Sequence, residues 1–191
     1  MRKILLASAF IATSALHPAH ASDYDDALRD VLQSDLASFL ADPMLVAAIR
    51  EQNATTGAYD DGKINALDQQ WRGEVGDADA PLITSVLDRS ASQMLKLARD
   101  EAGGLITEIF VMDAKGLNVA ASDITSDYWQ GDEAKWQQTY AIGPDAVHIS
   151  DVELDESTQE YQAQISVSVA DPDTGQPIGA ATIGVNVGLL E

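Results

Sequence analysis

From Tyr24 onward, apolar residues recur at Leu28, Val31, Leu32, Leu36, Phe39 and Leu40, the three-to-four spacing of a long helix with one buried face. Asp42-Pro43 then reads as an N-cap followed by proline at the first helical position. It restarts a helix through Met44, Val46, Ala47 and Ile49. Residues 53–62 form a polar loop, and a short helix follows with Ile64, Leu67 and Trp71 on one face. Pro81 opens another long helix, its apolar face made by Leu82, Val86, Leu87, Met94, Leu95 and Ala98, ending at Gly103-Gly104. The period then changes. Residues 105–112 are a mostly buried strand, Asp113-Ala114-Lys115-Gly116 a turn with glycine at a positive φ, and 117–122 the returning strand. Three more strands are predicted at 147–154, 161–170 and 177–187, the last two joined by the turn Asp171–Gln176. Helices first and five antiparallel strands after them make an α+β layout.

The segment before this pattern is different in kind. Arg2 and Lys3, the apolar run Ile4–Leu16 and the small-x-small triplet Ala19-His20-Ala21 read as a secretory leader over residues 1–21. As a helix the run spans roughly 20 Å, short of a bilayer core of ~30 Å. A single domain over residues 22–191, periplasmic or secreted, is the expectation. No second stretch is long and apolar enough for a membrane span after cleavage, and the chain stops at Glu191 directly after a strand.

Charge narrows the partners. Eleven Lys and Arg stand against 31 Asp and Glu, a formal net charge of −20. Loss of the leader removes Arg2 and Lys3 and makes the balance −22. Such a chain repels phosphate backbones, so nucleic acid is excluded as a partner. There is no cysteine, hence no disulfide, thiolate metal site or cysteine nucleophile.

The strand–turn–strand Phe110-Val111-Met112-Asp113-Ala114-Lys115-Gly116-Leu117-Asn118-Val119-Ala120-Ala121-Ser122 resembles the opening hairpin of Cache-type extracellular sensor domains, the PAS-like modules of bacterial receptors. Thr125–Trp136 is similar to the loop and helix that cover the pocket in that family. Gly175–Ala181 is similar to its closing hairpin, and Ala48–Asn53 with Ile64–Trp71 to its helical lobe. The resemblance implies a single-Cache fold: a PAS-like five-stranded antiparallel sheet with a long N-terminal helix and a helical lobe. It also implies a small-molecule pocket on the sheet face, under the segment between the second and third strands. In membrane receptors of the family the last strand runs on into a transmembrane helix; here it ends, which points to a stand-alone binding module acting through a separate membrane receptor or histidine kinase.

Within the covering segment, Tyr128, Trp129, Trp136 and Tyr140 are interleaved with Asp123, Asp127, Asp132 and Glu133. Aromatic faces beside carboxylates can hold an ammonium group or stack on a small planar ligand. Lys135 is the cation placed to pair with a carboxylate ligand, with Arg72 and Arg99 as alternatives. The candidate ligand-binding residues are therefore Asp123, Tyr128, Trp129, Lys135, Trp136 and Tyr140. The ligand classes are an amine, an amino acid or a small carboxylate, and the acidic field favours a neutral or cationic one. The alternative is that Trp129 and Trp136 plug the sheet as core, leaving an interaction protein that binds a receptor or itself.

No catalytic constellation emerges. Gly-x-Ser-x-Gly is absent, and His148, the one histidine past the leader, has strand neighbours that point to opposite faces. It reads as a structural or pH-sensitive residue. Asp171-Pro172-Asp173-Thr174-Gly175 starts like a calcium loop without its later ligands and is read as a turn. Neither enzyme activity, nor a metal, nor a cofactor is expected.

Overall fold

The alternation of side chains along the strands decides where the core sits. A computed structural model describes residues 24–33, 37–154 and 160–190 of the chain. The leader read at 1–21 and Leu36 lie outside the described residues. Helices come first: α1 (Asp25–Val31), α2 (Ala37–Leu40), α3 (Pro43–Thr56), α4 (Asp61–Glu74), α5 (Pro81–Leu87) and α6 (Ser90–Glu101). The strands are β1 (Ile106–Asp113), β2 (Asn118–Ala121), β3 (Val147–Ile149), β4 (Glu153–Leu154), β5 (Tyr161–Ala170) and β6 (Pro177–Asn186), with α7 (Ala134–Gln137) crossing between β2 and β3. Every pairing is antiparallel, in the order β2-β1-β6-β5-β3, and β4 also pairs with β5. This is the expected α+β, PAS-like arrangement.

In β5, Ala163, Ile165, Val167 and Val169 point to one side and pack with Ile109, Val111, Ala181, Ile183 and Val185 of the neighbouring strands. Leu28 of α1, Leu45 and Ile49 of α3, and Leu95 of α6 close that core from the helical side. The register Ile109↔Ile183↔Ile165 runs a row of branched side chains across the centre of the sheet. Burying each such side chain contributes roughly 1.5–3 kcal/mol.

The helix starts follow from the sequence. Asp42 accepts from Met44 N at 2.7 Å and Asp60 from Lys63 N at 2.8 Å, satisfying donors at the first turns of α3 and α4. α5 is capped from a distance. Glu74, the last residue of α4, accepts from Leu82 N (2.8 Å) and Ile83 N (3.0 Å). Burial works against the Glu74 carboxylate being charged, but these amides and the Gln70 side chain hold it below its usual range.

Two expected elements are each divided. The long helix from Pro81 breaks at Asp88-Arg89, where Arg89 takes an extended φ/ψ of −63°/144°. Ser92 Oγ donates to Val86 O (2.7 Å) and accepts from Ala121 N (3.0 Å), holding the break against β2. The break also turns Arg89 inward. The strand expected at 147–154 is interrupted at Ser150, whose hydroxyl accepts from Gln164 N (2.9 Å) in place of a backbone carbonyl and donates to Asp151 O. The ladder resumes only at Glu153. The loop expected from 53 is shorter, because α3 continues to Thr56.

The C-terminal half of α3 ties down two turns of the sheet. Arg50 reaches the β5–β6 turn, bonding both Asp171 oxygens (2.8 and 2.6 Å) and Asp173 (2.6 Å). Asn53 accepts from Ala114 N and donates to Ile178 O. Asp171-Pro172-Asp173 is thus a turn held by an arginine. The β1–β2 turn needs Gly116, whose φ is +81° and whose absent Cβ would lie 2.5 Å from Gly131 Cα.

Candidate functional site

The other face of the sheet is unlike the core. Even-numbered positions of β5 place Gln162, Gln164, Ser166 and Ser168 there, beside Phe110 and Met112 of β1 and Ala180 and Thr182 of β6. Ser166 and Thr182 share a buried hydroxyl–hydroxyl bond of 3.0 Å. Gln164 donates to Glu108 at 2.8 Å. Ser168 Oγ is buried with no partner among the described residues. Such groups carry a desolvation cost in a closed core and little cost in a wet one.

The segment after β2 covers this face unevenly. Its first part docks on the helical lobe. Asp68 Oδ1 accepts from Tyr128 N and Trp129 N (both 3.0 Å), and Arg72 bridges Asp68 (2.8 Å) and Asp127 (2.9 Å). Leu117 and Trp129 form a bridge at the sheet edge, where Trp129 Nε1 donates to Lys115 O at 2.9 Å. Tyr128 points the other way, its ring stacked on Trp71 with centroids 5.4 Å apart. Burial pushes the Tyr128 phenol up to about 12, against the opposing pull of Arg89.

The second part crosses the sheet. Trp136 in α7 stacks on Tyr140 (5.1 Å) over Phe110, Met112 and Ala180, and its Nε1 donates to Asp113 O at 3.2 Å. Lys135 Nζ sits 5.3 Å from the Phe110 ring centroid and pairs with Glu133 (2.9 Å) and Gln130 Oε1 (3.2 Å). Gln130 in turn donates to Asp127, whose carboxyl is pushed above its usual range by burial and by Glu133, with Arg72 opposing. The structure therefore brings Lys135, Trp136 and Tyr140 together on the sheet face. It places Tyr128 in the helical lobe and Trp129 at the β2 edge. Asp123 lies at the surface, paired with Arg99 at 3.0 Å.

Beside α7, the same sheet face opens into a cavity of about 290 Å³ lined by Glu133, Lys135, His148, Asp151, Glu153 and Gln164, with Ser150 and Gln162. Three carboxylates against one ammonium give it a negative balance. A second cavity, of about 400 Å³, lies in the helical lobe, with Gln52, Thr56, Tyr59, Leu67, Leu82, Arg89 and Tyr128 among its walls. Arg72 and Arg99, the other cations weighed as ligand partners, are both held by carboxylates. Among the described residues no group of three His, Asp or Glu is arranged to hold a metal ion, and no helix is long and apolar enough to cross a membrane.

The cluster of aromatic residues does not single out Gln164 or Glu153 as groove residues. The signal for Gln164 is the apolar–polar alternation over Tyr161–Val169, which marks a strand with one face outside the core; no such pattern marks Glu153.

No protein-family profile and no curated protein sequence matches the chain. Solved structures do. The extracellular domain of vpHK1S-Z8, a chain assigned to the histidine kinases, superposes with a TM-score of 0.49 at 12% identity, over 89% of this chain and 56% of that one. The ligand-binding domain of the Pseudomonas aeruginosa PAO1 amino acid chemoreceptor PctC, in complex with GABA, gives 0.43 at 14% identity, over 75% and 58%. The sensory domain of the Campylobacter jejuni chemoreceptor Tlp3 with isoleucine bound gives 0.41 at 12% identity, over 87% and 63%. The chain spans less than two thirds of the length of each.

Proposed function

We propose that this protein is an exported ligand-binding sensor module of the Cache type, a binder rather than an enzyme, taking a small amine or amino acid on the sheet face beside α7. One observation carries the reading: Gln162 and Gln164, even positions of β5, present their amides to the cavity beside α7 instead of closing it with apolar side chains. Glu133, Asp151 and Glu153 supply negative charge for an ammonium group, and the overall field of the chain draws cations toward it. Lys135 and His148 stand at the same cavity for a carboxylate end. Export rests on the leader sequence at residues 1–21. A membrane receptor or histidine kinase that responds to the bound state belongs to the same proposal.

The test is a melting-temperature screen of the protein lacking residues 1–21 against amines, amino acids and small carboxylates. An amine or amino acid should raise the midpoint, and the Asp151→Asn/Glu153→Gln double variant, altered only at exposed positions, should abolish the rise. No rise with any amine or amino acid, or a rise unchanged in the double variant, overturns the reading. A second reading, an interaction protein of the same fold, is favoured by the Trp136–Tyr140 stack that fills the middle of the face. It predicts capture of a receptor ectodomain with no small molecule present.

A further inference from the structure

Arg50, Arg72 and Arg99 each hold two carboxylates. Arg89 holds none. Its Nη1 donates to Gln52 Oε1 (2.6 Å) and Val119 O (2.8 Å), and its Nε donates to Ser85 O (3.1 Å), all neutral acceptors. Its Nη2 makes no hydrogen bond among the described residues. In a chain with 31 acidic residues, a half-buried guanidinium with a nitrogen to spare is out of pattern, and it stands in the wall of the larger cavity. Tyr128 lines the same cavity. Its ring is buried against Trp71, yet its hydroxyl has no hydrogen-bond partner among the described residues.

We propose that the helical lobe carries a second binding site, for a small monocarboxylate with a short apolar or aromatic body, held by Arg89 and the Tyr128 hydroxyl. Both donors suit one carboxylate: a guanidinium nitrogen and a phenol that burial keeps protonated far above neutral pH. Leu67, Leu82 and the Tyr59 ring give the cavity an apolar side for the body of the ligand. A volume of about 400 Å³ is within the range of small-molecule sites. The charge balance selects one negative charge rather than two. Asp113, fully buried behind Gln52 and Thr56, already offsets part of the Arg89 charge, and Glu51 stands at the exposed rim of the cavity.

This site is separate from the groove beside α7, and its test separates the two. Benzoate and isovalerate are titrated calorimetrically into the full mature chain, with benzamide as the uncharged control and succinate as the dicarboxylate. Benzoate or isovalerate should bind, benzamide should not, and succinate should bind more weakly. Tyr128→Phe removes only a hydroxyl without a protein partner. It should melt as the parent does and bind the monocarboxylates about tenfold more weakly. Arg89→Gln should abolish binding. If that variant fails to fold, Tyr128→Phe still decides the matter. Asp151→Asn/Glu153→Gln should bind benzoate as the parent does. Absence of monocarboxylate binding, equal binding of benzamide, or undiminished affinity in Tyr128→Phe overturns the proposal. Loss of benzoate binding in the groove variant would place the site at the groove and overturn it as well.

Discussion

Arg89 and Asp113 compensate one another's charge without touching, through the side-chain amide of Gln52. Gln52 Oε1 accepts from Arg89 at 2.6 Å, and Gln52 Nε2 donates to Asp113 Oδ2 at 3.0 Å. The Asp113 carboxylate also accepts from Thr56 Oγ1 (2.7 Å), Lys115 N (2.8 Å) and Leu117 N (3.0 Å), so the β1–β2 turn and α3 converge on one buried anion. Gln52→Ala leaves Arg89 short of an acceptor and Asp113 short of a donor. The expected loss is about 1–3 kcal/mol, read as a lower urea midpoint. Gln52→Glu should do no better, because its carboxylate would face Asp113.

The pair of Arg50 and Asp171 predicts an acid-sensitive term in stability. Hydrogen bonds from Arg50 hold the Asp171 carboxyl down to about 2, against an ordinary aspartate value of 3.8. A group whose pKa is lower in the folded state stabilises the fold while ionised in both states. That contribution is complete above 3.8 and is lost as pH falls from there through about 2. Melting temperatures followed from neutral pH downward should show the parent falling through this window. Asp171→Asn should start lower and fall less. Equal slopes for the two proteins would refute the assignment.

Much of this architecture can be read from the chain. The apolar spacing of α1, α3 and α4, the Asp42-Pro43 start and the Gly116 turn are local signals that tertiary packing leaves in place. The two breaks are of another kind. Arg89 and Ser150 are bent out of regular structure by partners far along the chain, Gln52 and Val119 for one and Gln164 for the other. No window around either residue contains those partners. The candidate site divides on the same ground. Lys135 and Trp136 lie in α7 and Tyr140 in the turn directly after it, so the three stay together, whereas Tyr128 is pulled to the helical lobe by Asp68 and Trp71. Arg89, with no motif around it, becomes visible only when its neutral acceptors are counted against the carboxylates that Arg50, Arg72 and Arg99 hold.

Gly116→Ala tests the close approach of two turns. The positive φ alone costs a side chain roughly 1–3 kcal/mol, and the added methyl would overlap the Gly131 backbone. The expected result is a markedly lower melting temperature. Gly131→Ala should behave similarly, since its Cβ would meet Trp129 Nε1 at 2.4 Å and Lys115 O at 2.9 Å.

Trp136→Ala separates packing from ligand contact. Removing its stack on Tyr140 and its cover over Met112 should cost about 2–3 kcal/mol without any ligand, less than the ~3–5 kcal/mol of a fully buried aromatic. Denaturation of the ligand-free protein checks it. A variant as stable as the parent would mean that the ring contributes nothing to the fold.

The alternation along β5 bears on how such a chain can change over generations. Substitutions at Ile165 or Val167 alter how much protein survives folding, while under the function proposed above substitutions at Gln162 or Gln164 alter what well-folded protein prefers to bind. Neighbouring codons thus answer to separate selective pressures. Under that function, descendants of this gene can diversify in chemical preference through Gln162 and Gln164 while the odd positions stay under purifying selection.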